Sequence, residues 1–421
     1  MRAVILSIGD ELVLGQTADT NAAWIAARLV ACGIAPEYHQ AVRDDQDAII
    51  EAVKNAAGKA ELIIVSGGLG PTPDDLTRQA MAAAGEAPLV LHAPSLKKLE
   101  KTFKTRGWKM TANNRIQAMF PQNAIVLDNP VGTAPGFGMP LGKAKIMVMP
   151  GVPKEMKAMF ARHIAPVIMS KKRSGVQTMK LNVFGMGESM AAAKLGELMR
   201  RDRNPLVGTT VSAGIISIRI RGVFKNAAKG RQAMRGTADK IRRLLGRAVF
   251  SEGDESLPEA VGKMLAAARK TVATAESCTA GMLAAMLTET PGASRYFTGG
   301  WIVYANRMKT ENLGVPEELI LGNGAVSAAV AKKMAGGALL KSGADYALAI
   351  TGIAGPDGGA PRKKVGTVWI ALAERKSGGI HAEKSLFPGD RAMVRDRAAK
   401  TALNMLRLNI LSGLREWVPQ R

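Results

Sequence analysis

An α/β fold is expected from three observations. Short, continuously apolar runs at residues 2–7, 62–66 and 146–149 alternate with segments of helical periodicity. That is the pattern of buried, largely parallel strands and their covering helices. Glycine-rich runs follow several of these strands directly, at the edge where open α/β sheets take their ligands. The pattern also occurs twice, on either side of a smaller stretch of mixed character. The expected architecture is therefore two α/β domains, 1–170 and 256–421, joined by a small α+β domain at 171–255.

The elements follow in order. Residues 2–7 read as a buried strand, and 21–32 as an amphipathic helix that stops at Gly33. Residues 48–57 read as a helix and 62–66 as a second strand, which breaks into GGLGPTPDD. The strand at 146–149 ends before PGVPKEM. In the middle region 179–184 and 215–223 are strand-like, and 190–200 and 232–245 are helical. Residues 251–258 (SEGDESLP) look like a polar linker with a helix-start signal. Further on, strands are expected at 272–275, 346–350 and 367–373, and helices at 280–287, 325–340 and 390–411. No repeat of solenoid type is visible.

Composition narrows the class. The chain has 421 residues, of which 47% are hydrophobic, too apolar for a disordered protein. Its two cysteines, Cys32 and Cys278, cannot build a disulfide framework or a cysteine-rich zinc site. No apolar run approaches the ~20 residues that span a bilayer, and the first residues do not read as a signal peptide. A soluble, cytoplasmic protein with no membrane partner is expected. Lys and Arg number 58 against 35 Asp and Glu, for a net charge of +23. The excess is densest in the middle, from Lys171, Lys172 and Arg173 to Arg243 and Arg247. Aromatics make up only 4%, no zinc-finger spacing or RRM signature is present, and the middle region has no GxxG clamp. A nucleic-acid partner is not expected. The charge then belongs to a solvated basic surface or to phosphorylated ligands.

Two constellations carry chemistry. In the first domain, the run from Ser66 to Thr77 joins a strand to a helix. Gly67, Gly68 and Gly70 let the backbone approach a ligand closely, and a helix start offers free N–H groups to phosphate. Asp74 and Asp75 suit a hard cation, or else form an acidic helix cap. Glu11, after the first strand, and the loop NPVGTAPG at 129–136 lie where they can join that site. The Walker A spacing and the full dinucleotide fingerprint are both absent.

In the last domain, Ser277 stands in AESCTAG at a strand-to-helix corner, either as an N-cap or as a nucleophile facing helix N–H groups. The four histidines lie in no comparable motif, which argues against a Ser-His-Asp triad. A lysine can serve as base when desolvated, and Lys309 in GGWIVYANRMK is the candidate, with Tyr304 to orient it or to shuttle a proton. Cys278 ranks below Ser277 because nothing near it in sequence would activate a thiol. The glycine-rich loop from Thr351 through Gly352 and Gly355 follows the next strand.

The runs GDELVLGQTADTNAAWIAARL, GGLGPTPDDLTRQA, NPVGTAPGF and MPGVPKEM resemble the N-terminal domain of the CinA (competence/damage-inducible) family. That domain is related to molybdopterin-binding domains. AESCTAG, GGWIVYANRMK, GAVS and TGIAGPDGG resemble the family's C-terminal domain, and the middle region is similar to its KH-like domain. The resemblance implies a C-terminal nicotinamide mononucleotide (NMN) amidohydrolase that needs no cofactor. Ser277 would be the nucleophile, Lys309 the base and Tyr304 an assistant, with Thr279, Gly281, Thr351, Gly352 and Gly355 contacting substrate. It further implies an ADP-ribose pyrophosphatase in the first domain, dependent on Mg, Mn or Co. There Asp74, Asp75 and Glu11 would be metal residues, and Gly67, Gly68, Gly70 and Thr77 would line the ligand. A homodimer is the family's expectation. The chain departs from the pattern after GAVS, where Ala328 and Ala329 stand in place of an acidic residue. A non-catalytic nucleotide- or molybdopterin-binding protein of the competence or DNA-damage response is the other reading.

Overall fold

Alternating apolar and polar pressure decides where each strand lies. The computed structural model describes residues 1–169, 175–361 and 363–412, so Lys171, Lys172 and Arg173 of the basic stretch lie outside the described residues. Backbone proximity divides the chain into two units, Met1–Thr178 with Arg221–Met234, and Met179–Ile220 with Arg235–Arg421.

In the N-terminal region the strands are β1 (Ala3–Ile8), β2 (Pro36–Val42), β3 (Leu62–Ser66), β4 (Leu89–Leu91), β5 (Met119–Pro121), β6 (Ile125–Leu127), β7 (Gly136–Leu141) and β8 (Ala144–Met149). The helices are α1 (Asp10–Val13), α2 (Thr20–Ala31), α3 (Gln46–Ala57), α4 (Thr77–Ala84), α5 (Ala93–Thr105), α6 (Pro153–Met159) and α7 (Ala165–Met169). The main sheet has the order β2-β1-β3-β8-β7-β6. The first four strands are parallel, while β7 and β6 run antiparallel, so the sheet is less uniformly parallel than expected. Along β1 and β3, successive side chains enter two different cores. Val4, Leu6, Ile63 and Val65 join one, and Ile5 and Ile64 the other. A sheet covered on both faces needs such unbroken apolar strands.

The middle region holds β9 (Gly175–Val183), β10 (Leu206–Ser212), β11 (Ile215–Phe224) and β12 (Val249–Glu252), with α8 (Glu188–Leu195) and α9 (Ala227–Leu245). The sheet order is β10-β11-β9-β12. The linker expected at 251–258 is a correction. Ser251 and Glu252 belong to β12, which pairs antiparallel with β9. Only 253–256 connects, and Ser256 then caps α10 (Leu257–Ala268) by accepting from Glu259 N at 3.3 Å.

The last region forms the sheet β14-β13-β15-β16-β17, from β13 (Val272–Glu276), β14 (Phe297–Ile302), β15 (Tyr346–Gly352), β16 (Thr367–Glu374) and β17 (Ile380–Leu386). The three strands β14, β13 and β15 are parallel, and the last two are antiparallel. Its helices are α11 (Met282–Thr288), α12 (Asn306–Leu313), α13 (Glu317–Asn323), α14 (Ala328–Ser342) and α15 (Arg391–Ser412). Small residues Ala275, Ala347, Ala349, Ala371 and Ala373 face the core shared with Val330 and Met334 of α14. Helix α11 begins at Met282 rather than at 280 because Ala280 (φ 48°) and Gly281 (φ 90°) are both left-handed. Among the described residues no helix is long and apolar enough to cross a membrane.

Both α/β sheets reverse their winding beside their first strand in chain order. In the first, chain order places β2 on one side of β1 and β3 on the other. In the second, β14 and β15 flank β13 in the same way. Such switch points leave a crevice at the carboxyl ends of the strands.

Candidate functional site

The C-terminal crevice is built on β13, whose five residues are all buried between β14 and β15. Its last residue, Glu276, is 1% exposed and accepts hydrogen bonds from Leu283 N (3.0 Å) and Ala284 N (2.8 Å). A carboxylate at a helix start satisfies orphan donors and the helix dipole together. It also corrects an expectation: those amides of α11 belong to Glu276 and do not face a substrate oxyanion. Within the turn 277–281, Ser277, Cys278 and Thr279 are buried and Ala280 is exposed. Ser277 N donates to Ile350 O of β15 (2.9 Å), and Ser277 is 8% exposed. The non-glycine left-handed residue Ala280 marks stored backbone strain at this turn.

Lys309, on α12, is 1% exposed. Its Nζ donates to the carbonyl oxygens of Val303 (3.0 Å) and Tyr304 (2.9 Å). Burial pulls its pKa below the ordinary lysine value, and the neighbouring Cys278 opposes that only in part. Cys278 itself is buried and its thiol is pushed up to about 11, so it is no ready thiolate.

Tyr304 takes a different place from the one expected. Its ring is exposed, and its hydroxyl accepts from Arg391 Nη2 at 3.2 Å. The main chain of Tyr304, not its phenol, holds Lys309. Thr279 is fully buried, its Oγ1 has no hydrogen-bond partner, and its carbonyl accepts from Arg395 Nη2 at 2.8 Å. Thr351 is also buried, and its hydroxyl donates to Ala325 O (2.8 Å), which makes it a brace rather than a free contact. At Gly352 a Cβ would stand 2.7 Å from Val368 Cγ2, so that glycine serves close strand packing. Gly355 (φ 85°) presents its carbonyl to Arg391 Nη1 at 3.0 Å.

Arg391 and Arg395 were not singled out by sequence. They lie one turn apart at the start of α15 and reach, respectively, the Tyr304–Gly355 side and the Thr279 carbonyl. Both favour negative charge at Cys278. Their sequence signal was two cations at a helix N-terminus, where the dipole disfavours them.

The N-terminal crevice is a cavity of about 420 Å³ at the ends of β1, β3 and β8. It brings together Glu11, the Gly67–Gly70 loop, Asp74, Asp75 and the loop at Thr133, as expected. Gly67 (φ 117°) could not carry a Cβ, which would stand 2.2 Å from Ile8 O. Thr77 is a correction: it is fully buried and its hydroxyl donates to Gly67 O at 3.0 Å, closing the loop from inside. Asp75 is another. Its carboxylate accepts from Gly70 N (2.6 Å), from Thr72 N (2.9 Å) and from the Thr72 hydroxyl, so it braces its own loop rather than waiting for a metal. Arg78, missed by sequence, is fully buried and donates to Leu69 O at 2.9 Å. Burial pushes its pKa down to about 10 against the attraction of Asp75.

Asp44, also missed, lines the cavity with Glu11, Asp74 and Glu155. Burial, together with repulsion from Asp10, Glu11 and Asp74, raises the Asp44 pKa against its hydrogen bond from Asp10 N. Among the described residues no three acidic, histidine or cysteine side chains converge as a metal cluster. The donors are nevertheless hard carboxylate oxygens that repel one another. That suits a cation held by one or two carboxylates and completed by substrate phosphates.

Three family matches cover the chain. Residues 4–170 match the probable molybdopterin binding domain, 178–251 the damage-inducible protein CinA KH domain, and 254–410 the CinA C-terminal domain. A "Putative competence-damage inducible protein" of Symbiobacterium thermophilum is 42% identical, covering 98% of this chain and all of that protein. The chain belongs to the CinA family. A "CinA-like protein" of Geobacter metallireducens is 39% identical over 98% of this chain and all of its own length. Among solved structures, the competence/damage inducible protein CihA from Agrobacterium tumefaciens is 39% identical. It covers 37% of this chain and 93% of its own, with a TM-score of 0.36. This CinA protein therefore carries the family's three domains in order, and its two crevices lie in the first and the last.

Proposed function

We propose that the C-terminal domain is an amidohydrolase that converts NMN to nicotinic acid mononucleotide and ammonia. The observation that carries the reading is Lys309, buried and held by two main-chain carbonyls, with its pKa lowered by that burial. A neutral amine accepts a proton, and burial favours the neutral form. Ser277 Oγ attacks the carboxamide carbon and its proton passes to Lys309 Nζ. The tetrahedral adduct collapses, the C–N bond breaks, and Lys309 returns the proton to the departing ammonia. Water then cleaves the acyl-serine ester, leaving the carboxylate product and the free hydroxyl. Arg391 and Arg395 supply positive charge for the substrate's phosphate. In the 277–281 turn Ser277 N and Ala280 N already donate to Ile350 O and Ser277 O, so the N–H groups of Cys278, Thr279 and Gly281 are the donors proposed for the oxyanion.

For the first domain we propose hydrolysis of ADP-ribose to AMP and ribose 5-phosphate. One or two of the carboxylates of Asp74, Glu11 and Asp44 would hold a divalent cation (Mg, Mn or Co), which would neutralise diphosphate charge when bound. The Gly67–Gly70 backbone, kept open by Thr77, Asp75 and Arg78, receives the diphosphate. A cytoplasmic homodimer acting on small nucleotides, with no part for nucleic acid, completes the proposal. Ammonia release from NMN, assayed beside AMP release from ADP-ribose with and without divalent metal, tests both halves. Absence of both activities, with nucleotide still bound, would favour a non-catalytic binding role.

A further inference from the structure

A second cavity, of about 600 Å³, lies within the unit of residues 179–220 and 235–421, and none of the residues assigned to the Ser277 site lines it. Its wall includes Arg407, 2% exposed, from the last turns of α15. The Arg407 guanidinium donates to Asn404 Oδ1 (Nε at 3.0 Å, Nη2 at 2.8 Å) and to Arg247 O (2.6 Å). These acceptors are all neutral. Burial, with no opposing carboxylate, draws the Arg407 pKa down to about 10. A buried guanidinium served only by neutral oxygens keeps a charge that a bound anion would balance.

The rest of the wall agrees. Arg397 and Lys384 add positive charge. The lining carboxylates are Glu188 and Glu383, and burial raises Glu383 to about 7, which reduces its negative charge near neutral pH. Phe184 and Phe387 give the cavity an aromatic side. Gly185 (φ 91°) brings the loop backbone against Asn404, where an added Cβ would stand 3.2 Å from Nδ2. The volume is that of a small-molecule site with a few fixed polar groups.

We propose that this cavity binds a mononucleotide, its phosphate toward Arg407, Arg397 and Lys384 and its base against Phe184 and Phe387. The inference stands apart from the deamidase reading, because it uses other residues and needs no turnover.

The test is photolabelling of the full chain with 8-azido-AMP, followed by peptide mapping. Adducts are expected in segments 184–188 and 383–387. Excess AMP should suppress them, while equimolar inorganic phosphate should compete poorly. The double substitution Lys384→Glu with Arg397→Glu is expected to cut labelling there by about fivefold or more. Should the double variant fold poorly, Lys384→Glu alone, at an exposed position, is expected to give a smaller loss in the same segments. Labelling confined to segments 67–75 or 277–281, labelling nowhere, equal competition by phosphate, or undiminished yield in a folded variant would each overturn the proposal.

Discussion

The proposed base, Lys309, is an ordinary side chain whose burial favours its neutral form. Its pKa is lowered chiefly by desolvation, since two carbonyl oxygens do not replace the water it lost. The base form is unprotonated. Deamidation should therefore rise with pH through the lowered Lys309 pKa, with the midpoint of the rise below the ordinary value of 10.5. A kcat/KM profile of ammonia release checks this. Lys309→Arg keeps the positive charge at every accessible pH. That variant should lose about 10²- to 10⁴-fold in rate and show no such rising limb. In the other crevice, Asp74→Asn is expected to abolish most AMP formation from ADP-ribose and leave ammonia release from NMN unchanged. AMP formation that survives both that substitution and EDTA would remove the cation from the proposal.

Strand-to-helix turns decide where these residues stand. Glu276 occupies the first amides of α11, so Glu276→Ala leaves two buried donors unpaired. It should lower stability by about 1–3 kcal/mol, read from denaturant unfolding, and reduce deamidation by freeing the turn. Gly67→Ala would force a Cβ against Ile8 O at a positive φ. A loss of about 1–3 kcal/mol, together with loss of the N-terminal activity, is expected. These turns were legible in sequence because glycine runs directly follow apolar strands, as at Leu62–Ser66 and Tyr346–Gly352. The outer strands β2 and β17 were not, since edge strands carry polar residues and show no continuous apolar run. Asp44, Arg78, Arg391 and Arg395 were missed for a related reason. Charged residues on a strand end or helix look like solvated surface until the fold brings them to a crevice. The same limit explains why Asp75 and Thr77 read as ligand residues. Composition shows the oxygen but not that its own loop has already used it.

Across the molecule, one device is used twice. Each α/β sheet reverses winding beside its first strand in chain order, β1 or β13, at a place where glycine turns follow the strand ends. The two crevices differ in charge. Carboxylates line the first, and guanidiniums flank the second. That difference suits the two chemistries proposed above, with a cation in the first and none in the second. The net charge of +23 takes on a narrower meaning. Arg391, Arg395, Arg397 and Arg407 are charges with local positions and acceptors, whereas the exposed ion pairs, such as Lys263 with Glu255, add little to stability. The central claim is that Ser277, served by Lys309, opens the amide of NMN. Ammonia release from NMN by the wild-type chain and by Ser277→Ala, each first shown to hydrolyse ADP-ribose equally, measures it most directly. The account predicts release from the wild type and none above background from the variant. Release by the variant at the wild-type rate would contradict it.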